Sequence, residues 1–326
     1  MSGAGSEIHQ LSIPTPFAVG RVNCYLLSGE PLTLVDTGPN SGTALDTLEL
    51  ALAAHGVGVE QLELIVLTHQ HMDHEGLLEI LLRRSGARLA AFAGLAQWLA
   101  EFPESSAEDD LFAQAVMREH GVPEEIVTLL GVVAAAYRSN GSRGDVTLPL
   151  HDGDRLTMGA REFTVHHRPG HSPSDLIFHD EVSGLLIGGD HLLAHISSNA
   201  LVSRPLGAPA HTPRGTPLLD YARSLRATRE LAVTELLPGH GERISDHVTL
   251  IDERLRLQRR RAAKILALLA QGPLTAHQIA LRMWGNTAVT QAYLTLSEVL
   301  GHTDMLLSEG RIATLSDGGV TSFVAL

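Results

Sequence analysis

The chain has 326 residues, more than one hydrophobic core usually holds, so we expect one large domain and a smaller one. Hydrophobic residues make up 44% of the chain, which excludes an intrinsically disordered protein. The 24 basic and 37 acidic side chains give a net charge of −13. Because phosphate binding requires a basic surface, this balance argues against nucleic acid as a partner.

Cysteine usage and the length of the apolar stretches indicate the cellular environment. Cys24 is the single cysteine, so an internal disulfide framework and a multi-cysteine metal site are excluded. Residues 1–30 lack the basic start and apolar run of a secretory signal. No apolar stretch reaches the roughly 18 residues that a membrane span needs. We therefore expect a cytoplasmic protein with no membrane contact.

Strand and helix patterns alternate over the first 245 residues, which is typical of an α/β fold. Short apolar and β-branched runs bounded by turn residues predict strands, and apolar residues at helical spacing predict helices. In chain order the predicted strands are 22–27, 32–36, 62–67, 88–92, 147–150, 155–158, 162–165, 176–179, 184–187 and 235–237. The predicted helices of this part are 43–55, 77–84 and 217–232.

Two segments depart from this pattern. Residues 95–143 are mainly helical, and we predict that they form a helical lid inserted over the site. The apolar side chains that indicate a lid are Trp98, Leu99, Phe102, Leu111 and Phe112. After residue 245, helices at 248–270, 275–284 and 288–300 and a hairpin at 306–324 predict a small winged-helix-like domain. We therefore divide the chain into domains 1–245 and 246–326.

A cluster of histidines follows the predicted strand 62–67. His69, His71, Asp73 and His74 lie in one short loop at the end of that strand, where ligand-binding groups gather in α/β folds. Imidazole and carboxylate groups suit Zn²⁺, and also Fe²⁺ or Mn²⁺. His69 and His71 can share one ion, and Asp73 and His74 can begin a second site. Isolated histidines are usually structural, but three within six residues beside an aspartate favour a metal site.

Three more candidate ligands follow other predicted strands. His171 lies in a Pro-Gly-His turn, Asp190 follows Gly188-Gly189, and His240 lies in Pro-Gly-His-Gly. Each motif is weak alone. Together with the histidine cluster they supply seven ligands that one sheet edge could gather.

These motifs resemble those of the metallo-β-lactamase-fold hydrolases. The string Thr-His-x-His-x-Asp-His is followed in order by Pro-Gly-His, Gly-Gly-Asp and Pro-Gly-His-Gly, and Leu34-Val35-Asp36-Thr37-Gly38 matches the first motif of the superfamily. The resemblance covers about residues 8–245. It implies a four-layer αββα sandwich with two divalent metal ions at one edge, most simply Zn²⁺, with Fe²⁺ or Mn²⁺ as alternatives.

The resemblance also implies a role for each motif residue. Asp36 would brace the metal-binding loops, and Asp73 would act in catalysis by orienting the attacking hydroxide or carrying its proton. A hydroxide bridging the two ions would attack the substrate carbonyl. The first ion would be held by His69, His71 and His171, the second by Asp73, His74 and His240, and Asp190 would bridge them.

Departures from individual branches of the superfamily narrow the expected reaction. Asp190 stands where the zinc β-lactamases carry cysteine, and Leu193 stands where quorum-quenching lactonases carry tyrosine. A carboxylate at 190 resembles the glyoxalase II, thioesterase, lactonase and ribonuclease branches. A winged-helix-like tail, in place of the helical glutathione-binding tail of glyoxalase II, resembles the lactamase-β-like proteins of that glyoxalase II / lactamase-β-like branch. The acidic balance then favours thioesterases in that branch over endoribonucleases.

We therefore expect hydrolysis of a thioester or related activated ester, with a small-molecule or carrier-bound acyl substrate. The alternatives are an endoribonuclease or phosphodiesterase, a lactonase, and a non-catalytic metal-bearing protein that binds DNA or a partner. His195, Asn199 and Arg204, in the segment after Asp190, are candidate substrate contacts. A homodimer is compatible with the sequence.

Overall fold

Two β-sheets lie at the centre of the protein in the computed structural model, which describes residues 7–326. Residues 1–6 of the predicted first domain lie outside the described part of the chain. In spatial order the first sheet contains β1 (Ile8–Ile13), β2 (Val22–Leu27), β3 (Thr33–Val35), β4 (Leu64–Val66), β5 (Arg88–Phe92) and β6 (Leu148–Leu150). The second contains β11 (Glu235–Pro238), β10 (Leu185–Gly189), β9 (Leu176–Asp180), β8 (Arg161–His167) and β7 (Arg155–Met158).

Helices cover both sheets and form most of the C-terminal part. Helix α1 illustrates how the sequence specifies them, since the Ser41 side chain accepts a hydrogen bond from the Ala44 amide and so caps the first turn. Ala44, Leu48 and Leu52 then recur at a spacing of four and form the buried face. The α-helices are α1 (Gly42–Ala54), α2 (Met72–Glu75), α3 (Leu78–Ser85), α4 (Ala96–Ala100), α5 (Phe102–Glu119), α6 (Glu124–Tyr137), α7 (Pro217–Arg229), α8 (His247–Leu269), α9 (Ala276–Trp284), α10 (Thr287–Thr290) and α11 (Ala292–Ser308). Short 3₁₀ helices occur at Val59–Gln61, Ala93–Leu95 and Arg138–Asn140.

Alternation along the strands separates the apolar core into layers. In β2, Cys24 and Leu26 pack with α1 and α3, whereas Tyr25 and Leu27 pack against the second sheet. In β9, Phe178 faces the first sheet, while its neighbour Ile177 packs with α7 and α8. The layer order is therefore helix, sheet, sheet, helix, which confirms the predicted αββα sandwich.

Strand direction brings several loops to one edge of this sandwich. Strands β3 and β4 run parallel in the first sheet. In the second sheet β10 and β11 are parallel, and β8 has the same direction because β9 is antiparallel to both β8 and β10. The two sheets are joined near these strand ends by hydrogen bonds from the Asn23 amide to the Gly239 carbonyl and from the Leu176 amide to the Thr68 carbonyl. The loops that follow these five strands carry all seven predicted ligands and Asp36.

The predicted insertion forms helices α4, α5 and α6, and its apolar side chains are mostly used in packing. Trp98, Leu99 and Phe102 lie in the core beside the first sheet. Phe112 lies in a separate core shared with the C-terminal helices, and Leu111 is 51% exposed. Packing therefore accounts for four of the side chains from which the lid was inferred, and the lid remains a prediction.

The C-terminal part contains the predicted helices and hairpin with shifted boundaries, and the predicted helix 288–300 corresponds to two helices, α10 and α11. Helix α11 extends to Ser308, so the hairpin begins six residues later than predicted, with β13 (Ile312–Asp317) and β14 (Val320–Ala325). A short strand β12 (Leu274–Thr275) also pairs with β14. The winged-helix-like character and the domain boundary at 245/246 remain predictions. Within residues 7–326, no helix is long and apolar enough to cross a membrane.

A substitution at Phe112 tests the core shared by the insertion and the C-terminal part. Phe112 is 2% exposed and packs in a cluster with Ile265, Leu296 and Phe323. We expect Phe112→Ala to lower the free energy of unfolding by about 3–5 kcal/mol, because it leaves a cavity in that cluster. Denaturant unfolding would measure the change. The neighbouring exposed residue provides the control, since Leu111→Ala should cost only about 0.5 kcal/mol. Equal effects of the two substitutions would contradict the packing described here.

Candidate metal centre

The loop after β4 turns directly into the short helix α2 and presents four candidate ligands. His69 lies in the loop, His71 is the residue before the first turn of α2, and Asp73 and His74 lie inside that turn. Glu75, which follows them, is fully buried and accepts a hydrogen bond from the Ser142 amide. This contact anchors α2 to the C-terminal end of the insertion.

Three histidines converge at the first part of the site. His69 Nε2 lies 3.0 Å from His71 Nδ1, and His171 Nε2 lies 2.9 Å from the same atom. His171 is 100 residues away in sequence and reaches the loop from the turn after β8. The structure therefore brings together the three residues expected to hold one ion.

The outer hydrogen bonds of these histidines determine where their lone pairs point. His171 Nδ1 faces the Asn199 carbonyl, which can only accept, so Nδ1 carries the proton and Nε2 of the neutral ring is unprotonated. His69 Nδ1 contacts the Thr68 hydroxyl, which itself donates to Asp36. His69 Nδ1 is therefore also the donor. Two lone pairs then face His71 Nδ1, which can supply at most one proton, so the arrangement suits a shared cation.

The second part of the site is formed by Asp73, His74 and His240, with Asp190 between the two parts. His240 Nε2 lies 3.3 Å from Asp73 Oδ2 and 3.5 Å from Asp190 Oδ2. The other oxygen of Asp190 lies 3.5 Å from His74 Nε2, and His171 Nε2 lies 3.6 Å from Asp190 Oδ2. His69, His74 and Asp190 also form a compact group, so the two parts overlap.

Several inward-facing atoms of this second part have no hydrogen-bond partner within residues 7–326: His74 Nε2, His240 Nε2 and Asp190 Oδ1. The opposite nitrogens of both histidines are occupied, because His240 Nδ1 donates to the Arg21 carbonyl and His74 Nδ1 donates to Asp36. Buried polar atoms are normally paired, and a metal ion would satisfy all three. The donor set therefore fits divalent metal ions.

Asp36 links the two loops that carry these ligands. Its Oδ1 accepts a hydrogen bond from the Thr68 amide at 2.9 Å, and its Oδ2 accepts from the Thr68 hydroxyl and from His74 Nδ1, each at 2.8 Å. The residue is buried and has a φ of 58°, a conformation that aspartate tolerates better than most residues. Asp36 thus holds His74 in one tautomer and attaches the histidine loop to β3.

Burial and neighbouring charges give the cluster an electrostatic preference for a cation. Burial lowers the pKa of His69 well below its usual value and that of His71 to about 3, so both rings are neutral at physiological pH. The pKa of His74 is raised although burial opposes this, because Asp36, Asp190 and Asp73 surround it. The pKa of Asp190 is well below its usual range despite burial, because His74 and His240 are close. The cluster thus attracts positive charge to its centre.

Glycines in the turns around the cluster let neighbouring side chains pack closely against the backbone. A Cβ atom at Gly239 would lie 2.3 Å from Asp190 Oδ1 and 2.8 Å from the His74 ring, so only glycine fits between these two side chains. At Gly241 a Cβ atom would lie 2.6 Å from His195 Nδ1. This contact places the His195 ring beside the residue that follows His240.

The three predicted substrate contacts are placed differently from one another. His195 is exposed beside Gly241, at the rim of the cluster. Asn199 contacts the cluster through its backbone, whose carbonyl accepts from His171, while its side chain donates to the Leu294 carbonyl. Arg204 is buried, and its guanidinium is bound to Asp109 and to the Ser105 carbonyl. The donors of Arg204 thus fix helix α5 to the segment after Asp190, and a contact between Arg204 and the substrate remains a prediction.

Sequence patterns missed the groups that orient the ligands. The carbonyls of Arg21 and Asn199 set the tautomers of His240 and His171, and no side-chain motif marks a backbone carbonyl. Arg254, on α8, binds three carbonyls of the segment after Asp190. It resembles any other arginine of a charged helix in the sequence. Glu75 adjoins the histidine motif and could have been found from that position.

Comparisons with known proteins agree with this architecture. The family model described as "Metallo-beta-lactamase superfamily" matches residues 18–240. "Probable metallo-hydrolase YqjP" from Bacillus subtilis (strain 168) is 33% identical over 317 residues, or 97% of each chain. The crystal structure of the metallo-beta-lactamase family protein TTHA1429 from Thermus thermophilus is 30% identical, covers 98% of both chains and has a TM-score of 0.82.

A more distant relative carries a specific enzyme name. "Acyl-coenzyme A thioesterase MBLAC2" from Homo sapiens is 32% identical over 180 residues, which are 52% of this chain and 58% of that protein. The match of the family model to most of the chain, together with the Bacillus relative and the Thermus structure, is sufficient for assignment. This chain belongs to the metallo-β-lactamase superfamily of metallo-hydrolases.

Proposed function

We propose that the protein hydrolyses a thioester or a related activated ester, using two divalent metal ions. The observation that supports this proposal most strongly is the set of four histidines whose outer nitrogens are all hydrogen-bonded, so that their inner nitrogens converge on Asp190 and His71. Two of these inner nitrogens, His74 Nε2 and His240 Nε2, have no hydrogen-bond partner within residues 7–326, and a divalent cation would satisfy both.

We assign the ligands to two ions on the basis of their grouping. His69, His71 and His171 would hold the first ion, and Asp73, His74 and His240 the second. Asp190 would contact both, since its two oxygens face His74 on one side and His171 and His240 on the other. Nitrogen and carboxylate donors of this kind favour Zn²⁺, and they also accept Fe²⁺ or Mn²⁺.

When bound, two such ions polarise a substrate carbonyl and lower the pKa of a water molecule. Asp73 is the residue proposed to accept the proton of that water and deliver it to the leaving group. Burial alone would raise the pKa of Asp73, but His74 and His240 lower it below its usual value. The group is therefore a carboxylate at neutral pH and can accept a proton.

Four observations favour a thioester over other substrates. Position 190 is an aspartate instead of the cysteine found in the zinc β-lactamases, and Leu193 is buried, so no phenol reaches the site from that position. The net charge of −13 disfavours polyanionic RNA. The human relative is named an acyl-coenzyme A thioesterase. A thioester carbonyl is already activated, so no side-chain nucleophile is required.

A substrate panel tests the proposed reaction. The metal-loaded protein should hydrolyse acyl-coenzyme A or acyl-glutathione esters faster than a lactone, a β-lactam, a phosphodiester or RNA. Release of free thiol would measure thioester hydrolysis, and release of nucleotides would measure cleavage of phosphodiesters or RNA. Turnover of RNA or phosphodiesters alone would contradict the thioesterase proposal and favour the endoribonuclease alternative.

Metal content is a separate prediction. Elemental analysis of protein purified without chelators is expected to find close to two equivalents of metal per chain. Removal of the metal should lower the thermal midpoint of unfolding, because binding to the native state stabilises it. A stoichiometry that stays at one after supplementation with Zn²⁺, Fe²⁺ or Mn²⁺ would contradict the two-ion site.

A further inference from the structure

The segment of residues 190–204 links the candidate metal centre to the C-terminal part of the chain. It begins at Asp190, contains His195 and Asn199, and forms no helix or strand. Its backbone groups therefore cannot be satisfied by a regular hydrogen-bond ladder and depend on other partners. Several of those partners lie on helices α8 and α11.

Arg254 of α8 binds the first half of this segment. Its Nη2 donates to the carbonyls of Leu193, Ala194 and Ile196 at 2.9, 3.0 and 3.0 Å. These carbonyls lie three to six residues after Asp190 and flank His195. A charged donor strengthens such bonds, and one guanidinium nitrogen shared by three carbonyls fixes their relative positions.

Helix α11 binds the second half. The Asn199 side chain donates to the Leu294 carbonyl at 3.0 Å, and the Val202 amide donates to the Ser297 hydroxyl at 3.2 Å. The Tyr293 hydroxyl also donates to the Val202 carbonyl. The backbone carbonyl of Asn199 meanwhile accepts from His171 Nδ1 at 3.0 Å. Asn199 therefore connects α11 to a candidate ligand of the first ion.

The two ends of the segment are also coupled to each other. The Ser198 hydroxyl donates to the Asp190 carbonyl at 2.6 Å, which closes a loop of nine residues around His195. A displacement of residues 193–196 would thus also shift Asp190 and the Asn199 carbonyl, which orients His171.

We propose that Arg254 is a positioning residue of the metal centre, and that through it the C-terminal part of the chain determines metal affinity. The hydrogen bonds of Arg254 go to backbone carbonyls and not to any of the seven candidate ligands. It holds the segment that carries Asp190 and the Asn199 carbonyl, and so keeps the bridging carboxylate and the tautomer of His171 in place. The effect on metal affinity rests on the proposed two-ion function, whereas the effect on the segment does not.

The test compares three variants of the full-length chain with the wild type. Arg254→Met removes the donor and keeps an unbranched side chain, and Arg254→Lys restores a charged donor. Arg259→Met is the matched control, because Arg259 is exposed on the same helix and its loss changes the net charge equally. Two quantities are measured: the Zn²⁺ dissociation constant, by competition with a chromophoric chelator, and hydrogen exchange of residues 190–204 in metal-free protein.

We expect Arg254→Met to weaken Zn²⁺ binding about 10–100-fold, as is typical when a group that orients a ligand is lost. Arg254→Lys should recover part of this loss, and Arg259→Met should bind as the wild type does. Exchange of residues 190–204 should accelerate in Arg254→Met while the exchange of the central strands stays unchanged. If Arg254→Met does not fold, Arg254→Gln replaces it, since a shorter, uncharged amide keeps a polar side chain at this position but cannot supply the charged donor to the three carbonyls, and it should weaken Zn²⁺ binding in the same direction.

The possible failures are distinguishable. Wild-type affinity and exchange in Arg254→Met would overturn the role of Arg254 and leave the proposed hydrolase intact. If the wild type bound no Zn²⁺ but hydrogen exchange of residues 190–204 were still faster in Arg254→Met, Arg254 would be shown to hold the segment. The two-ion proposal, and with it the effect of Arg254 on metal affinity, would then be overturned. Tight Zn²⁺ binding without thioester turnover would contradict only the reaction.

Discussion

Asp190→Asn is expected to abolish binding of at least one of the two proposed ions and to lower kcat/KM by about 10³-fold or more, a loss of roughly 4 kcal/mol of transition-state stabilisation. The carboxylate of Asp190 lies 3.5–3.6 Å from nitrogens of His74, His171 and His240, and its pKa is held well below the usual range by His74 and His240 despite burial. The asparagine side chain has the same shape and no charge. Elemental analysis and thioester kinetics on the same preparation would measure both losses.

A matched control separates this effect from a general loss of acidic charge. Asp145 is exposed in the loop before β6, and Asp145→Asn removes the same charge outside the cluster. It should retain both ions and wild-type kinetics. Full metal content and activity in Asp190→Asn would show that the carboxylate does not connect the two proposed ions.

Asp36→Asn is expected to lower both stability and metal affinity. The Asp36 carboxylate accepts three hydrogen bonds, from the Thr68 amide, the Thr68 hydroxyl and His74 Nδ1. An asparagine NH₂ group in the position of Oδ2 would face the Thr68 hydroxyl and His74 Nδ1, which are themselves donors, so neither bond could form. Loss of two bonds to a charged group predicts a decrease in unfolding free energy of about 3–5 kcal/mol. Release of His74 from its tautomer should weaken metal binding about 10–100-fold.

The choice of asparagine isolates the charge of Asp36 from its backbone. Asp36 has a positive φ, and asparagine tolerates this conformation as readily as aspartate does. Denaturant unfolding of metal-free protein measures the stability term, and chelator competition measures the affinity. A variant with reduced stability but unchanged Zn²⁺ affinity would show that Asp36 supports only the fold and does not orient His74.

Much of the α/β part was predictable because strand and helix patterns there are local. The predicted strand 22–27 coincides with β2, whose six residues are all buried, and helix 43–55 differs from α1 by one residue at each end. Strand β1 was missed, because His9, Gln10 and Ser12 interrupt its apolar residues. Pairing with β2 stabilises β1. Because β2 lies about 15 residues further along the chain, this pairing does not show in the hydrophobic pattern of residues 8–13.

The C-terminal part shows a similar limit. The stretch 306–311 was assigned to a hairpin, yet α11 continues to Ser308. Leu306 is buried in the core shared with the insertion, so tertiary packing extends the helix past the point where the local pattern suggested a strand. The packing of Phe112 in the same core could not be predicted either, because Ile265, Leu296 and Phe323 of that core lie more than 150 residues away in the chain.

The donor groups of the candidate site could be predicted from the amino-acid sequence alone. The residue type determines which atoms can bind a metal, and a ligand that follows an apolar strand can be placed at the end of that strand. This holds for His69, His71, His171, Asp190 and His240. The orientation of these side chains and the partners of their neighbours depend instead on tertiary contacts. Arg204 forms an ion pair with Asp109, and the carbonyls of Arg21 and Asn199 set the tautomers of His240 and His171. Arg254 binds the segment after Asp190, which precedes it by some 60 residues in the chain. Backbone carbonyls and long-range ion pairs have no motif or periodicity, because they depend on which distant elements the packed core brings together.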